Sequence, residues 1–149
     1  MIKRCASAEQ PGWLVLRQAL WPHCTPEEHL SEMSMFCANP ERYAQFIAYA
    51  QSGQAMGFVE AAVRTDYVNG TRSSPVAFLE GIYVVPEERR KGIARSLVAA
   101  VECWARDVGC HEFASDAALE NQLSHAMHRA LGFEEIERVV FFRKALVRP

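Results

Sequence analysis

No stretch of this chain approaches the ~20 consecutive apolar residues that a membrane-spanning helix needs. The opening residues, Met1-Ile2-Lys3-Arg4-Cys5, are basic but lead into no apolar stretch, so they do not read as a secretory leader. The five cysteines, Cys5, Cys24, Cys37, Cys103 and Cys110, contain no C-x-x-C pair, and their odd number argues against a disulfide framework. They read instead as reduced, mostly buried small side chains. An excess of positive charge is also missing. Lys and Arg total 16 against 18 Asp and Glu, a formal net charge of −2, and no basic stripe with interleaved aromatics occurs. That balance speaks against a general nucleic-acid or anionic-membrane binder. His125 and His128 sit three apart, and Cys110 and His111 are the only further ligands to invoke, so no metal site is expected. The motifs G-x-x-x-x-G-K-[ST] and G-x-G-x-x-G are both absent, which removes the main support for nucleoside triphosphate or dinucleotide binding. These absences describe a cytoplasmic protein without metal, membrane or nucleic-acid partners.

What is present suits one compact domain over residues 1–149, half of them apolar and 23% charged, with no repeat and no dividing linker. A short strand is expected over 2–6, and Pro11 opens a helix that carries Leu14, Val15, Leu16, Leu20 and Trp21 up to Pro22. Thr25-Pro26-Glu27-Glu28 starts a second helix, with a hydroxyl cap, proline at the first position and acids in the first turn. That helix should run to about Cys37. Strands follow over 44–50 and 54–65, separated by Gln51-Ser52-Gly53, and residues 66–75 form a loop. Residues 76–85 read as a buried strand that carries Glu80-Gly81 in its middle, a carboxylate beside a glycine, which suggests a bulge with function near it. Helices over 92–108 and 120–131, a strand over 112–115 and last strands near 133–136 and 139–144 complete the order. Such a sequence of elements specifies an α/β (α+β) fold, helices on a partly parallel sheet.

The segment from Leu79 to Ala94 carries the chemistry. A buried strand ends at Pro86, the basic turn Arg89-Arg90-Lys91 follows, and Gly92 opens a long helix. Backbone N–H groups at a helix start have no intrahelical partners, and here they converge with the helix dipole and three cations on one spot. That combination reads as a pyrophosphate cradle or, on these residues alone, equally as a solvated charged loop capped by glycine.

Arg89, Gly92 and Ala94 form R-x-x-G-x-A directly after a strand, which resembles the acetyl-CoA-binding signature of the GNAT acyltransferase superfamily. Asn121 and the helix that ends in Leu131-Gly132-Phe133 resemble that superfamily's last motif. Trp21, Tyr67-Val68-Asn69-Gly70-Thr71, Ser74-Pro75-Val76, residues 78–84, residues 113–119 and Ser124-His125-Ala126-Met127-His128-Arg129 are similar to the aminoglycoside 6′-N-acetyltransferases in particular. The resemblance implies a mixed, twisted central sheet flanked by helices, with a splayed strand that binds acetyl-CoA. It implies acetyl transfer to the 6′-amine of an aminoglycoside, antibiotic resistance, and a cytoplasmic homodimer. It assigns the backbone of Ile82, Tyr83 and Val84 to the pantetheine arm, the amides of Arg90, Lys91, Gly92, Ile93, Ala94 and Arg95 to the pyrophosphate, and Asn121 to the cofactor arm. Trp21, Tyr67 and Glu137 would touch the drug.

Amine acylation also needs a proton acceptor. Glu80 precedes the bulge and Asp116 ends the opposing strand, so both can face one cleft, and the sequence leaves the base between them. Carboxylates there would also hold a polycation, with Asp66 and Glu120 as further candidates. His128 stands where many superfamily members carry a tyrosine that protonates the leaving thiolate. Two other readings share the cradle: a GNAT enzyme for a polyamine, an amino acid or a protein N-terminus, and a non-catalytic acyl-CoA sensor.

Overall fold

Five strands form one mixed sheet in the computed structural model, which describes residues 1–147. The chain falls into two units, Met1–Asp116 and a smaller one that begins at Ala117. In the first unit the order is β1 (Ile2–Arg4), α1 (Trp13–Leu20), α2 (Pro26–Ala38), β2 (Tyr43–Tyr49), β3 (Ala55–Arg64), β4 (Val76–Val84), a 3-10 turn (Pro86–Glu88), α3 (Ile93–Asp107) and β5 (Phe113–Ala114). The strands lie in the order β1-β2-β3-β4-β5. The first four are antiparallel, and β5 returns parallel to β4 after the α3 crossover.

Both faces of the sheet are covered, and β3 shows it: Gly57 to Ala62 are all buried, as a central strand between two helical layers requires. On one face Trp13, Leu16 and Met33 from α1 and α2 pack with Ile47, Tyr49 and Phe58. α3 packs on β2, β3 and β4 and buries Leu97, Val98, Val101 and Trp104. The start of α2 is as the sequence predicts: the Thr25 hydroxyl accepts from the Glu28 N–H at 3.1 Å, and the Glu28 carboxylate accepts from the Thr25 N–H at 3.0 Å.

Two features of β4 position the site. Glu60 faces Gly81 while Ala61 faces Leu79, so Glu80 is the extra residue of the expected bulge. And β5 pairs with β4 only at Ala77↔Phe113 and Phe78↔Ala114, after which the two strands part. The splay therefore begins directly before Glu80.

The second unit holds α4 (Gln122–Ala130), capped by the Asn121 side chain, which accepts from the Ser124 N–H at 3.1 Å. Two expectations are corrected. The strands expected over 133–136 and 139–144 do not form among the described residues; a strand needs a partner edge, and Val140, Phe141 and Phe142 lie 76%, 86% and 92% exposed without one. All five cysteines are free, but only Cys5 and Cys110 are buried, because Cys103 falls on the outer face of α3 and Cys24 and Cys37 are half-covered. No helix among the described residues is long and apolar enough to cross a membrane.

Candidate active site

The edge of β4 beyond Phe78 carries the first element of the site. The Val85 N–H donates to the Met56 carbonyl, toward β3. Strand alternation therefore turns the Val84 N–H and C=O the other way, to the edge that β5 has left. The Val84 carbonyl is used there: Arg89 Nε donates to it at 2.7 Å, and the Arg89 guanidinium lies over the Tyr83 ring, 5.4 Å from its centre. Arg89 thus ties the turn back to the strand, while the Val84 N–H faces the gap.

The turn after β4 supplies the second element. Arg90 has φ 64° and Gly92 has φ 85°, two left-handed residues flanking Lys91. For an arginine that conformation is rare, and together they turn the backbone sharply between β4 and α3. α3 starts at Gly92, which offers no side-chain cap. A Cβ at Gly92 would meet nothing within 4 Å, so the cradle is open rather than filled by protein. Lys91 is paired with Glu88 at 3.1 Å. Ile93 and Ala94 are half-buried, and Arg90 and Arg95 are exposed.

Glu80 is the third element. The bulge turns it out of the apolar pattern of β4, and its side chain is 36% exposed, paired through Oε1 with Arg64 at 3.1 Å. Arg64 is held in turn over the Phe78 ring at 3.6 Å. Asp116 is exposed and stands two residues beyond Ala114, as Glu80 stands two beyond Phe78, so both carboxylates lie just past the last paired step of β4 and β5. Trp21, half-buried at the end of α1, lies against the same bulge: a Cβ at Gly81 would come within 2.5 Å of its ring. That close approach is why Gly81 follows Glu80.

Tyr67 is 73% exposed on the loop between β3 and β4. The loop is anchored on both sides of its tip. Val68 is buried against Val76 and Phe78, and the Glu112 carboxylate accepts from the Arg72 N–H at 2.8 Å and from the Ser73 hydroxyl. Those donors hold the Glu112 carboxyl below the usual carboxylate range, the Ser73 hydroxyl most of all. Asp66 is exposed on the same loop, and Glu120, Asn121 and Glu137 are exposed in the second unit. His128 Nδ1 lies 2.7 Å from the Ser124 carbonyl, and His125 Nε2 lies 2.9 Å from the Ala118 carbonyl. No group of three or more His, Cys, Asp or Glu side chains is placed to hold a metal ion among the described residues.

Sequence reasoning missed a buried polar cluster beneath Trp21. Arg17 is 2% exposed, and its Nη1 donates to both Glu60 oxygens, at 2.7 and 2.6 Å. Trp13 Nε1 donates to Glu60 at 2.9 Å. Burial pushes the Glu60 carboxyl above its usual range, against the pull of Arg17 and Trp13. The signal existed: Glu60 stands in the apolar run Phe58-Val59-Glu60-Ala61-Ala62, the same anomaly that singled out Glu80.

Comparison with known proteins agrees with this arrangement. The family model described as "Acetyltransferase (GNAT) family" matches residues 12–133. An aminoglycoside N(6′)-acetyltransferase type 1 of Acinetobacter baumannii is 57% identical over 139 residues, covering 93% of this chain and 94% of its own length. A protein of the same name from Stenotrophomonas maltophilia is 48% identical over 145 residues, 97% of this chain and 93% of its own. Among solved structures, AAC(6′)-Iy in complex with the bisubstrate analog CoA-S-monomethyl-acetylneamine superposes with a TM-score of 0.92 at 46% identity, covering 97% of both chains. The 6′-N-acetyltransferase AAC(6′)-Ih of Acinetobacter baumannii does so at 0.92 and 52% identity, covering 99% of both.

Proposed function

The chain belongs to the acetyltransferase (GNAT) family, and on that premise we propose that it transfers the acetyl group of acetyl-CoA to the 6′-amine of aminoglycoside antibiotics, conferring resistance. The observation that carries the reading is the splay of β4 from β5, which turns the Val84 N–H to an edge that β5 has left, on one stretch of chain with the exposed Glu80 and the left-handed turn at Arg90–Gly92. The names of relatives up to 57% identical, and a neighbour solved with a bisubstrate analog built from CoA and acetylneamine, support the choice of donor and acceptor.

In this mechanism the backbone amides from Arg90 to Arg95 donate to the pyrophosphate, and the edge of Ile82–Val84 runs alongside the pantetheine arm. The Val84 N–H donates to the thioester oxygen as negative charge builds on it, an interaction worth ~3 kcal/mol. The amine nitrogen attacks the thioester carbon; the C–N bond forms, the C–S bond breaks and the thiolate leaves. Its pKa of about 8.5 lets it go without a dedicated acid. The amine's proton passes to Glu80 or Asp116, directly or through water. Trp21 and Tyr67 complete the acceptor site, and the carboxylates Glu80 and Asp116 draw in the polycation.

We read the chain as one catalytic domain, since the family match runs across both units, and as a cytoplasmic homodimer. The exposed run Val139 to Phe142 supports the dimer, because apolar residues so uncovered seek a partner surface.

Free-thiol release from acetyl-CoA tests the proposal with kanamycin, tobramycin, spermidine and a short peptide as acceptors. Turnover is expected with the two drugs. Turnover confined to spermidine or the peptide would leave the family reading but remove the drug, and acetyl-CoA binding without any turnover would make the chain a sensor.

A further inference from the structure

We infer that Arg17, Glu60 and His29 form a buried positioning cluster, which sets affinity for the acceptor amine by fixing Trp21 and the β4 bulge without touching the drug. The inference rests on the function proposed above. Its geometry starts from Arg17, whose Nε donates to His29 Nδ1 at 3.1 Å. Arginine has donors only, so Nδ1 must be bare and His29 neutral, with its proton on Nε2. From there Nε2 donates to the Trp21 carbonyl at 3.2 Å. The same arginine lies 4.9 Å from the centre of the Trp21 ring, and its carbonyl accepts the Trp21 N–H at 2.8 Å. Trp21 is thereby held by its N–H, its carbonyl and its ring face, the first and last by Arg17 and the second by His29.

The other end of the cluster reaches the bulge. Glu60 pairs across the sheet with Gly81, the residue after Glu80 and the one against which the Trp21 ring lies. His29 is fully buried, and Glu60 is 2% exposed. A buried ion pair is seldom the most stable filling for such a space, since apolar residues of similar volume often do as well or better. What it supplies here is directional: fixed partners for one indole and one strand position at the acceptor side of the site.

The test uses the full chain with His29→Phe, which keeps the ring shape and removes both hydrogen bonds, and His29→Gln, whose amide can accept from Arg17 and donate to Trp21. We expect His29→Phe to raise the tobramycin KM about three- to tenfold, the worth of one hydrogen bond, with the acetyl-CoA KM unchanged. His29→Gln should restore most of the loss. In a Trp21→Ala background His29→Phe should change the tobramycin KM no further. A lowered melting temperature with an unchanged KM, equal changes in both KM values, or an undiminished effect without Trp21 would each overturn the inference. The indole ¹⁵N–¹H resonance of Trp21, assigned with Trp21→Phe, gives a readout free of activity: His29→Phe should move it and leave that of Trp104 in place. If the parent chain fails to acetylate tobramycin the proposed function falls, while an unmoved Trp21 resonance sinks the cluster on its own.

Discussion

Glu60 and Glu80 flank the same irregular step of the β3–β4 ladder, and each is paired with an arginine, yet the two do different things. Glu60 is closed in: Arg17 grips both its oxygens at 2.6–2.7 Å, Trp13 adds a third bond, and none of the group reaches water. Glu80 is thrown outward by the bulge, meets Arg64 through one oxygen at 3.1 Å and keeps a third of its side chain in solvent. A buried carboxylate with both oxygens engaged holds structure in place; one with an oxygen to spare, beside a strand edge that β5 has left, can take a proton. The two helix starts repeat the contrast. α2 caps its Glu28 N–H with the Thr25 hydroxyl, and α3 starts at Gly92 with no side-chain cap.

The largest expected effect breaks the buried member of the first pair. Glu60→Ala leaves the buried Arg17 only the half-exposed Glu32, at 3.3 Å, as a counter-ion and should cost about 3 kcal/mol of stability, read by urea unfolding, whereas Glu80→Ala removes an exposed pair worth about 0–1 kcal/mol. Equal losses would erase the distinction. Next comes catalysis. Glu80→Gln should lower kcat/KM for tobramycin on the order of 10²-fold, the usual worth of a general base, with little change in the melting temperature. Asp116→Asn in the same assay sharpens the assignment, since the larger fall identifies the base.

How much of this was legible in the sequence depended on whether the signal was local. The Thr25 cap of α2, the bulge at Glu80-Gly81 and the turn from β4 into α3 at Arg89–Gly92 were all readable, because turn chemistry and a glycine beside a carboxylate act over a few residues. Glu60 carried the same anomaly as Glu80, but which of the two faces solvent depends on α1, 43 residues away, supplying Arg17. His29 looked like an ordinary helix position for the same reason. The end of the chain failed differently: residues 139–144 have strand composition, but a strand exists only where an edge receives it.

The helix starts offer a smaller test. Gly92→Ala should cost about 1–2 kcal/mol through its left-handed φ and raise the acetyl-CoA KM severalfold, while Thr25→Ala should cost about 1 kcal/mol and leave that KM alone. If both variants weakened acetyl-CoA alike, the open start of α3 would not be special. The smallest effect concerns Gln45, which faces Glu60 across β2 and β3 and whose buried Nε2 has no hydrogen-bond partner among the described residues. Gln45→Met removes that unsatisfied donor and should raise the melting temperature by about 2–4 °C, equivalent to about 1 kcal/mol.

The most direct measurement is to supply acetyl-CoA labelled with ¹³C in the acetyl group and locate the label on tobramycin by NMR. One labelled amide is expected, on the 6′-nitrogen, and no labelled product from an analogue with a hydroxyl in place of the 6′-amine. A label on any other nitrogen, or transfer to the hydroxyl analogue at the same rate, would contradict it.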